Sequence, residues 1–283
     1  MTPLPATSLD AEKPALRLGL FPNMPDAEYR AIPAINSTAL KAGRRSLAHM
    51  RHSMLTPSTP SPAMELGTAV HMALLEPMRF RKAYAFALAE DSDKRTKAWK
   101  SFAAECESNG CTPLTWDDQV SIEAMRSNVL AHPDAAPMLQ QAGESEYVAV
   151  WQDPDTGLAC KARLDKYVPG ALALDIKTAR NAEPEEFSRQ MYSLGYWQQL
   201  AWYHEGFNRA SGTDTPFTII AIENEAPFCV AVYSLDDDTL ARGVAENHDI
   251  LRKYAVPGAI GLGGGGGAGA LTLREALRER MSA

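Results

Sequence analysis

Apolar and polar positions change their period near residue 143, and the change divides the chain. Upstream, apolar residues fall at helical spacing. A helix is predicted from Asn36 or Ser37 as N-cap through Leu40, Leu47 and Met50, until Pro57, Pro60 and Pro62 stop it. Further helices are predicted over 64–75, 79–108 and 117–141. Gly67 and His71, four residues apart, share a face of the 64–75 helix. Downstream, the pattern becomes strand-like. Residues 146–152 are β-rich and Asp153-Pro-Asp-Thr-Gly157 supplies a turn, so a hairpin returning over 158–167 is expected. A third strand, 171–177, is apolar enough for the middle of a sheet. Pro184, with Glu185 and Glu186 behind it, suits a helix N-terminus, and that helix is expected to reach about Gly206. Strands over 217–223 and 228–235 and a helix over 236–254 complete the pattern. The order predicts an α/β fold, with a central sheet of about five strands flanked by helices and a helical N-terminal half.

The flanks differ from this body. Residues 1–30, with Pro3, Pro5, Pro14, Pro22 and Pro25, read as an irregular arm. A single domain is expected over 31–256, with a helical part at 31–142 and the sheet and its helices at 143–256. Residues 257–283 read as a linker, with seven glycines among residues 261–269, followed by a short amphipathic helix over 271–281.

Composition narrows the function classes. At 283 residues, 45% apolar and 22% charged, the chain has the makeup of a globular protein, and disorder or fibrous repeats as the main content are excluded. No apolar run approaches the roughly 18 residues of a membrane span, and the start lacks the basic and apolar blocks of a secretory signal. The chain is therefore expected in the cytoplasm. Cys106, Cys111, Cys160 and Cys229 show no Cys-x-x-Cys spacing, so reduced structural thiols are expected and not a disulfide framework or zinc ribbon. A net charge of -7 argues against nonspecific coating of nucleic acid, so any such contact needs a local patch. From Tyr29 through Met64 no acidic residue occurs, while Arg30, Lys41, Arg44, Arg45 and Arg51 are basic. A second basic run holds Lys94, Arg95, Lys97 and Lys100. Each run is either a solvated helix face or a contact for phosphate.

The third strand carries the sharpest chemistry. In Leu172-Ala-Leu-Asp175-Ile-Lys177-Thr178 a carboxylate and an ammonium lie two residues apart, on one face of an apolar strand. Burying both is costly without partners. Asp165, ten residues earlier at the end of the preceding strand, can meet Asp175 across the sheet. Two facing carboxylates repel, and a hard divalent cation such as magnesium or manganese relieves the repulsion. Such a site would activate water toward a phosphodiester, with Lys177 orienting the water and offsetting charge in the transition state. The plainer alternative for Asp-x-Lys alone is a salt bridge at a strand end.

Several segments in order add specificity: Gly67-Thr-Ala-Val-His71, Glu146, Cys160-Lys-Ala-Arg163-Leu-Asp165, Asp175-Ile-Lys177-Thr178 and Gly195-Tyr-Trp-Gln-Gln199-Leu-Ala-Trp-Tyr203. Together, over residues 35–254, they resemble the PD-(D/E)XK nuclease superfamily, most closely RecE-type exodeoxyribonucleases (exonuclease eight), relatives of the RecB nuclease domain and lambda exonuclease. The resemblance implies a restriction-endonuclease-like core with a mixed sheet. It implies that His71 joins Asp165 and Asp175 as a ligand of Mg2+ or Mn2+, and that Glu146 is an additional acidic residue, with Glu144 two positions away as the competing candidate. It implies that Gln199 and Tyr203 contact the DNA backbone or support Lys177. Tyr192 and Tyr196 continue that stripe at helical spacing, and Tyr192 is expected to be core. Arg163 is either a phosphate ligand or a salt-bridge residue. The chain reads Arg163-Leu164-Asp165 where the RecE-type pattern often reads Arg-Pro-Asp. Cys229 is the only cysteine after Asp175-Ile-Lys177, so the iron–sulfur cluster of some RecB relatives is not expected.

The resemblance thus implies a metal-dependent exodeoxyribonuclease acting on linear duplex DNA ends, 5′ to 3′, leaving 3′ single strands for a RecT-like annealing protein, with the basic helix at Lys41, Arg44, Arg45 and Arg51 gripping phosphates and the protomers forming a toroidal homo-oligomer. The alternatives are a catalytically silent DNA-end-binding module on the same fold, or an endonuclease. The presence of His71, Asp165, Asp175 and Lys177 together speaks against the silent module.

Overall fold

The apolar runs downstream of residue 143 build a mixed sheet of six strands, one more than the pattern predicts. The structure is a computed structural model that describes residues 16–56 and 59–256 of the 283. The glycine-rich segment and tail helix expected over 257–283 lie outside the described residues. In chain order the elements are β1 (Gly19–Phe21), α1 (Asp26–Ala31), α2 (Ser37–Gly43), α3 (Leu47–Leu55), α4 (Pro62–Leu75), α5 (Pro77–Ala83), β2 (Tyr84–Phe86), a 3-10 turn (Ala89–Asp91), α6 (Lys97–Ser108), β3 (Thr112–Leu114), α7 (Trp116–Ala131) and α8 (Ala135–Gln140). There follow β4 (Glu144–Gln152), β5 (Ala159–Val168), β6 (Leu172–Ala179), α9 (Pro184–Ser193), α10 (Tyr196–Ser211), β7 (Phe217–Glu223), β8 (Val230–Ser234) and α11 (Asp237–Ala255). No helix among the described residues is long and apolar enough to cross a membrane.

The main sheet has the order β1-β4-β5-β6-β7-β8. Only β6 and β7 run parallel, and α9 and α10 form the crossover between them. The extra strand, β1, comes from the arm expected to be irregular, and it pairs antiparallel with β4. A three-residue edge strand has no periodicity to read; its backbone pairing and the packing of Met24 on Val148 and Val150 hold it in place. The N-terminal half is likewise not wholly helical, because β2 and β3 pair as a small parallel sheet that divides the stretch predicted as one helix over 79–108.

Three other predicted helices are broken, the one over 117–141 into α7 and α8. The one starting at Asn36 is α2 followed by α3, because Ser46 turns extended and its side chain accepts the His49 N–H, capping a new helix. The one over 184–206 is α9 followed by α10, because Gly195 takes φ +67, a left-handed conformation that suits glycine. Asn36 caps α2 as its sequence predicts, accepting the Ala39 N–H at 2.9 Å.

Each face of the sheet buries a separate core. On one, α2, α10 and α11 cover Ala149, Trp151, Cys160, Leu164 and Tyr167 with Leu200, Trp202 and Phe207. Gly206 brings α10 down onto Trp151: a Cβ there would stand 2.3 Å from the indole. On the other face α4 and α7 cover Leu172, Leu174, Ile176, Ile220 and Ile222. Leu164 and Tyr167, three residues apart, both belong to the first core, so the strand's alternation slips across Asp165 and Lys166.

The sheet forks at that slip. β5 and β6 pair only from Lys166–Leu174 to Val168–Leu172. Beyond Leu174, β6 pairs with β7 alone, while β5 continues along β4. The opening is wedged by Ile35, whose backbone exchanges hydrogen bonds with Ala159 and Lys161 at 2.8 Å each. Asp165 and Asp175 sit at the crotch, the first positions past the last β5–β6 pair.

Candidate active site

The fork explains why residues from distant elements meet. A cleft of about 580 Å³ opens over it, lined by His71 from α4, Glu146, Asp165, Asp175 and Lys177 from the sheet, and Gln199 and Tyr203 from α10. Side chains from helices on both faces reach it because the strands have parted.

Asp165 is tied on two sides. Its Oδ2 accepts the backbone N–H of Ile176 at 2.6 Å, replacing a ladder bond lost at the fork. Its Oδ1 lies 3.4 Å from His71 Nδ1. Burial disfavours ionisation of Asp165, but the charge of His71, the hydrogen bond from it and the charge of Lys177 outweigh burial and hold the carboxyl below its ordinary value. Burial likewise opposes the imidazolium of His71, and Asp165 raises His71 above its ordinary value. Gly67, one turn before His71, has its Cα side 3.2 Å from Thr178 Oγ1 by the position a Cβ would take, so α4 lies close on β6 at this point.

Asp175 is 3% exposed, and its Oδ2 stands 2.5 Å from Lys177 Nζ. The two form a buried ion pair. Burial keeps the Asp175 carboxyl above its usual range despite Lys177. Burial also opposes the Lys177 ammonium, yet Asp175, Tyr203 and Asp165 together hold it protonated, above its ordinary value. The ammonium also lies 4.9 Å from the centre of the Tyr196 ring.

Glu146 stands opposite Asp165 where β4 and β5 are aligned, with φ +48. It is held by Arg163, whose Nε lies 3.0 Å from Glu146 Oε2. Burial, more than any charge, raises Glu146, against the pull of Arg163. Of the two acidic candidates, Glu146 lines the cleft, whereas exposed Glu144 accepts a hydrogen bond from Asn23 at 2.6 Å. Arg163 is already occupied, because it also bonds Asp26 at 2.9 Å and covers the Tyr29 ring. Asp26 and Tyr29 belong to the arm, where nothing in the sequence pattern singled them out.

Gln199 and Tyr203 form a relay on α10. Gln199 Nε2 donates to the Tyr203 hydroxyl at 2.6 Å, and Lys41 Nζ donates to Gln199 Oε1 at 3.4 Å. Ser37, which the sequence offers only as a helix cap, donates to the same hydroxyl at 3.5 Å.

The basic run does not enter the cleft as a unit. Lys41 reaches its edge through Gln199. Arg44 instead points to α11 and α10, 2.9 Å from Glu246 and over the rings of Tyr192 and Trp197. Arg45 and Arg51 are exposed and are not among the residues lining the cleft. Tyr192, expected in the core, is 54% exposed. The break at Gly195 puts it on a different helix from Tyr196, so the apparent stripe does not continue. Cys106, Cys111, Cys160 and Cys229 are all free thiols.

As placed, no three His, Cys, Asp or Glu side chains among the described residues close around an ion. The donor set nonetheless suits a hard cation that keeps part of its water shell, since such an ion needs only one or two carboxylates from the protein.

A family model and one solved structure agree with this architecture. The model of a family described as a PDDEXK-like domain of unknown function (DUF3799) matches residues 37–256. A Eubacterium rectale protein named provisionally as an exonuclease has a similar solved structure, with TM-score 0.53 and 13% identity, covering 78% of this chain and 81% of that one. A phage-related exonuclease from Haemophilus somnus 129PT matches at TM-score 0.31 and 13% identity over 65% of this chain and 92% of that one. An alkaline exonuclease from Laribacter hongkongensis matches at TM-score 0.26 and 14% identity over 62% and 89%. No curated protein matches the chain.

Proposed function

This chain belongs to the PDDEXK-like DUF3799 family, and we propose that it is a divalent-metal-dependent nuclease that hydrolyses phosphodiester bonds of DNA at the fork between β5 and β6. The observation that carries the reading is the meeting of Asp165 and Asp175 at the fork, with Lys177 beside one and His71 beside the other. Those two carboxylates and His71 would hold Mg2+ or Mn2+, which supplies Lewis-acid polarisation of a phosphoryl oxygen and a more acidic water. Lys177, held protonated by its buried acidic neighbours, presents positive charge where negative charge gathers in the transition state. Asp175 fixes the ammonium in place, and the ring of Tyr196 bounds its other side. Glu146, raised by burial, is suited to accept and return a proton at the cleft wall. Gln199 and Tyr203 set the position of Lys41, which offers a second cation to the substrate backbone.

The fuller reading is an exodeoxyribonuclease acting 5′ to 3′ on linear duplex ends, as a toroidal oligomer in the cytoplasm, whose 3′ single strands pass to an annealing protein of the RecT kind. The names of the exonucleases with similar structures are compatible with it. Incubation of the protein with linear and closed circular duplex, with Mg2+ or with chelator, tests it. Degradation of linear DNA alone, abolished by chelator, is the expected result. Cutting of circles would make the protein an endonuclease, and no cutting of either would leave a DNA-end-binding module.

A further inference from the structure

A second feature lies outside the cleft and takes no part in the chemistry described. Tyr192, 54% exposed, and buried Trp197 have nearly parallel rings, 9° apart with centroids at 6.0 Å. Two guanidiniums sit over both rings: Arg44 at 6.0 and 5.4 Å, and Arg242 at 5.9 and 5.5 Å. Glu246 pairs with Arg44, whereas no carboxylate among the described residues forms a salt bridge with Arg242. Beside the rings runs a groove of about 240 Å³ that Ser188, Ser234 and Arg242 also line. The indole Nε1 of Trp197 is buried without a hydrogen-bond partner.

This block is continuous with the active site. Lys177 and Lys41 lie over the Tyr196 ring at 4.9 and 5.5 Å. The position a Cβ would take on Gly195 is 3.2 Å from Lys41 and 3.5 Å from Arg44, so both cations flank one point at the start of α10. From the cleft outward, cations and rings thus lie in one row: Lys177, Tyr196, Lys41, Arg44, the Tyr192–Trp197 pair, Arg242.

We infer that this row is a track for single-stranded nucleic acid, with Tyr192 as the platform on which a base stacks. An exposed aromatic ring set among cations suits a single strand, because every base has a face to stack and every linkage a charge to neutralise. A peptide would explain the apolar groove but not the line of cations leading back to Lys177. The phosphate of a stacked nucleotide offers Arg242 a partner. The strand is the nuclease's own, so the track depends on the proposed activity for its purpose, though not for its binding.

The test is fluorescence anisotropy of the full chain with labelled oligothymidylate of about 12 nucleotides and with a blunt duplex, both in chelator so that nothing is cut. Tyr192→Ala and Arg242→Ala are each expected to weaken the single strand roughly ten-fold and the duplex much less. Tyr192→Phe is expected to bind as the natural protein does, since the ring and not the hydroxyl stacks. Unchanged single-strand affinity in Tyr192→Ala, equal losses on both DNA forms, or no single-strand binding by the natural protein would each overturn the track. Degradation of linear duplex in Mg2+ by the natural protein is read in parallel. Its absence would refute the nuclease and leave the binding result to judge the track.

Discussion

The carboxylate of Asp165 accepts the backbone N–H of Ile176 at 2.6 Å, so an acidic side chain closes the gap where β5 leaves β6. One group therefore serves the fold and the chemistry. Asp165→Asn keeps an acceptor for that N–H, whereas Asp165→Ala leaves it unpaired in a buried place. Both variants should lose hydrolysis, but only Ala should cost about 1–3 kcal/mol from the orphaned donor. Urea unfolding of the two variants separates the roles; equal midpoints would show that the bond contributes nothing to stability.

Lys177 and Asp175 form a buried ion pair, and removing one member strands the other. Lys177→Met should abolish turnover and destabilise the protein by about 3–5 kcal/mol. Adding Asp175→Asn should recover much of the stability and none of the activity. A thermal-unfolding series over the two single variants and the double checks this, and purely additive losses would contradict the pairing.

Lys41 is expected to make DNA binding depend on pH. Burial first, and the charge of Lys177 second, lower its pKa from 10.5 to about 8. Affinity should therefore fall as pH rises through about 8, with a shallower salt dependence on the alkaline side. For stability the sign is opposite. Between about 8 and 10.5 the unfolded chain binds this proton and the folded one does not, so this residue's contribution to stability rises with pH across that window. Binding isotherms of Lys41→Gln should lose the pH step, and a step of unchanged size would assign it to another group.

Gly206→Ala should destabilise the fold by about 1–3 kcal/mol, because the added methyl meets the Trp151 ring and α10 must lift. Chemical denaturation measures it, and an unchanged midpoint would mean that the helix yields freely.

The strands that carry Asp165, Asp175 and Lys177 were legible because one returns from a clear turn at Asp153–Gly157 and the other is an apolar run, each its own signal. The chain breaks were not. Ser46 and Gly195 each end a helix by a local backbone choice inside an otherwise periodic stretch, and the break at Gly195 turned Tyr192 from an expected core residue into an exposed one. β1 is too short to show a period and depends on β4 for its existence. For the same reason the hold of Asp26 and Tyr29 on Arg163 could not be foreseen: it arises from where the arm lands, not from what it contains. The basic helix was visible as charge, but which cation faces the cleft was decided by Glu246 and the aromatic rings that draw Arg44 away.

The most direct measurement is the release of acid-soluble nucleotide from linear duplex DNA in Mg2+ by the natural protein and by Asp175→Asn side by side. Hydrolysis by the first and none by the second, with DNA affinity retained, is the predicted result. Equal hydrolysis by both would show that the fork between β5 and β6 is not where the backbone is cut.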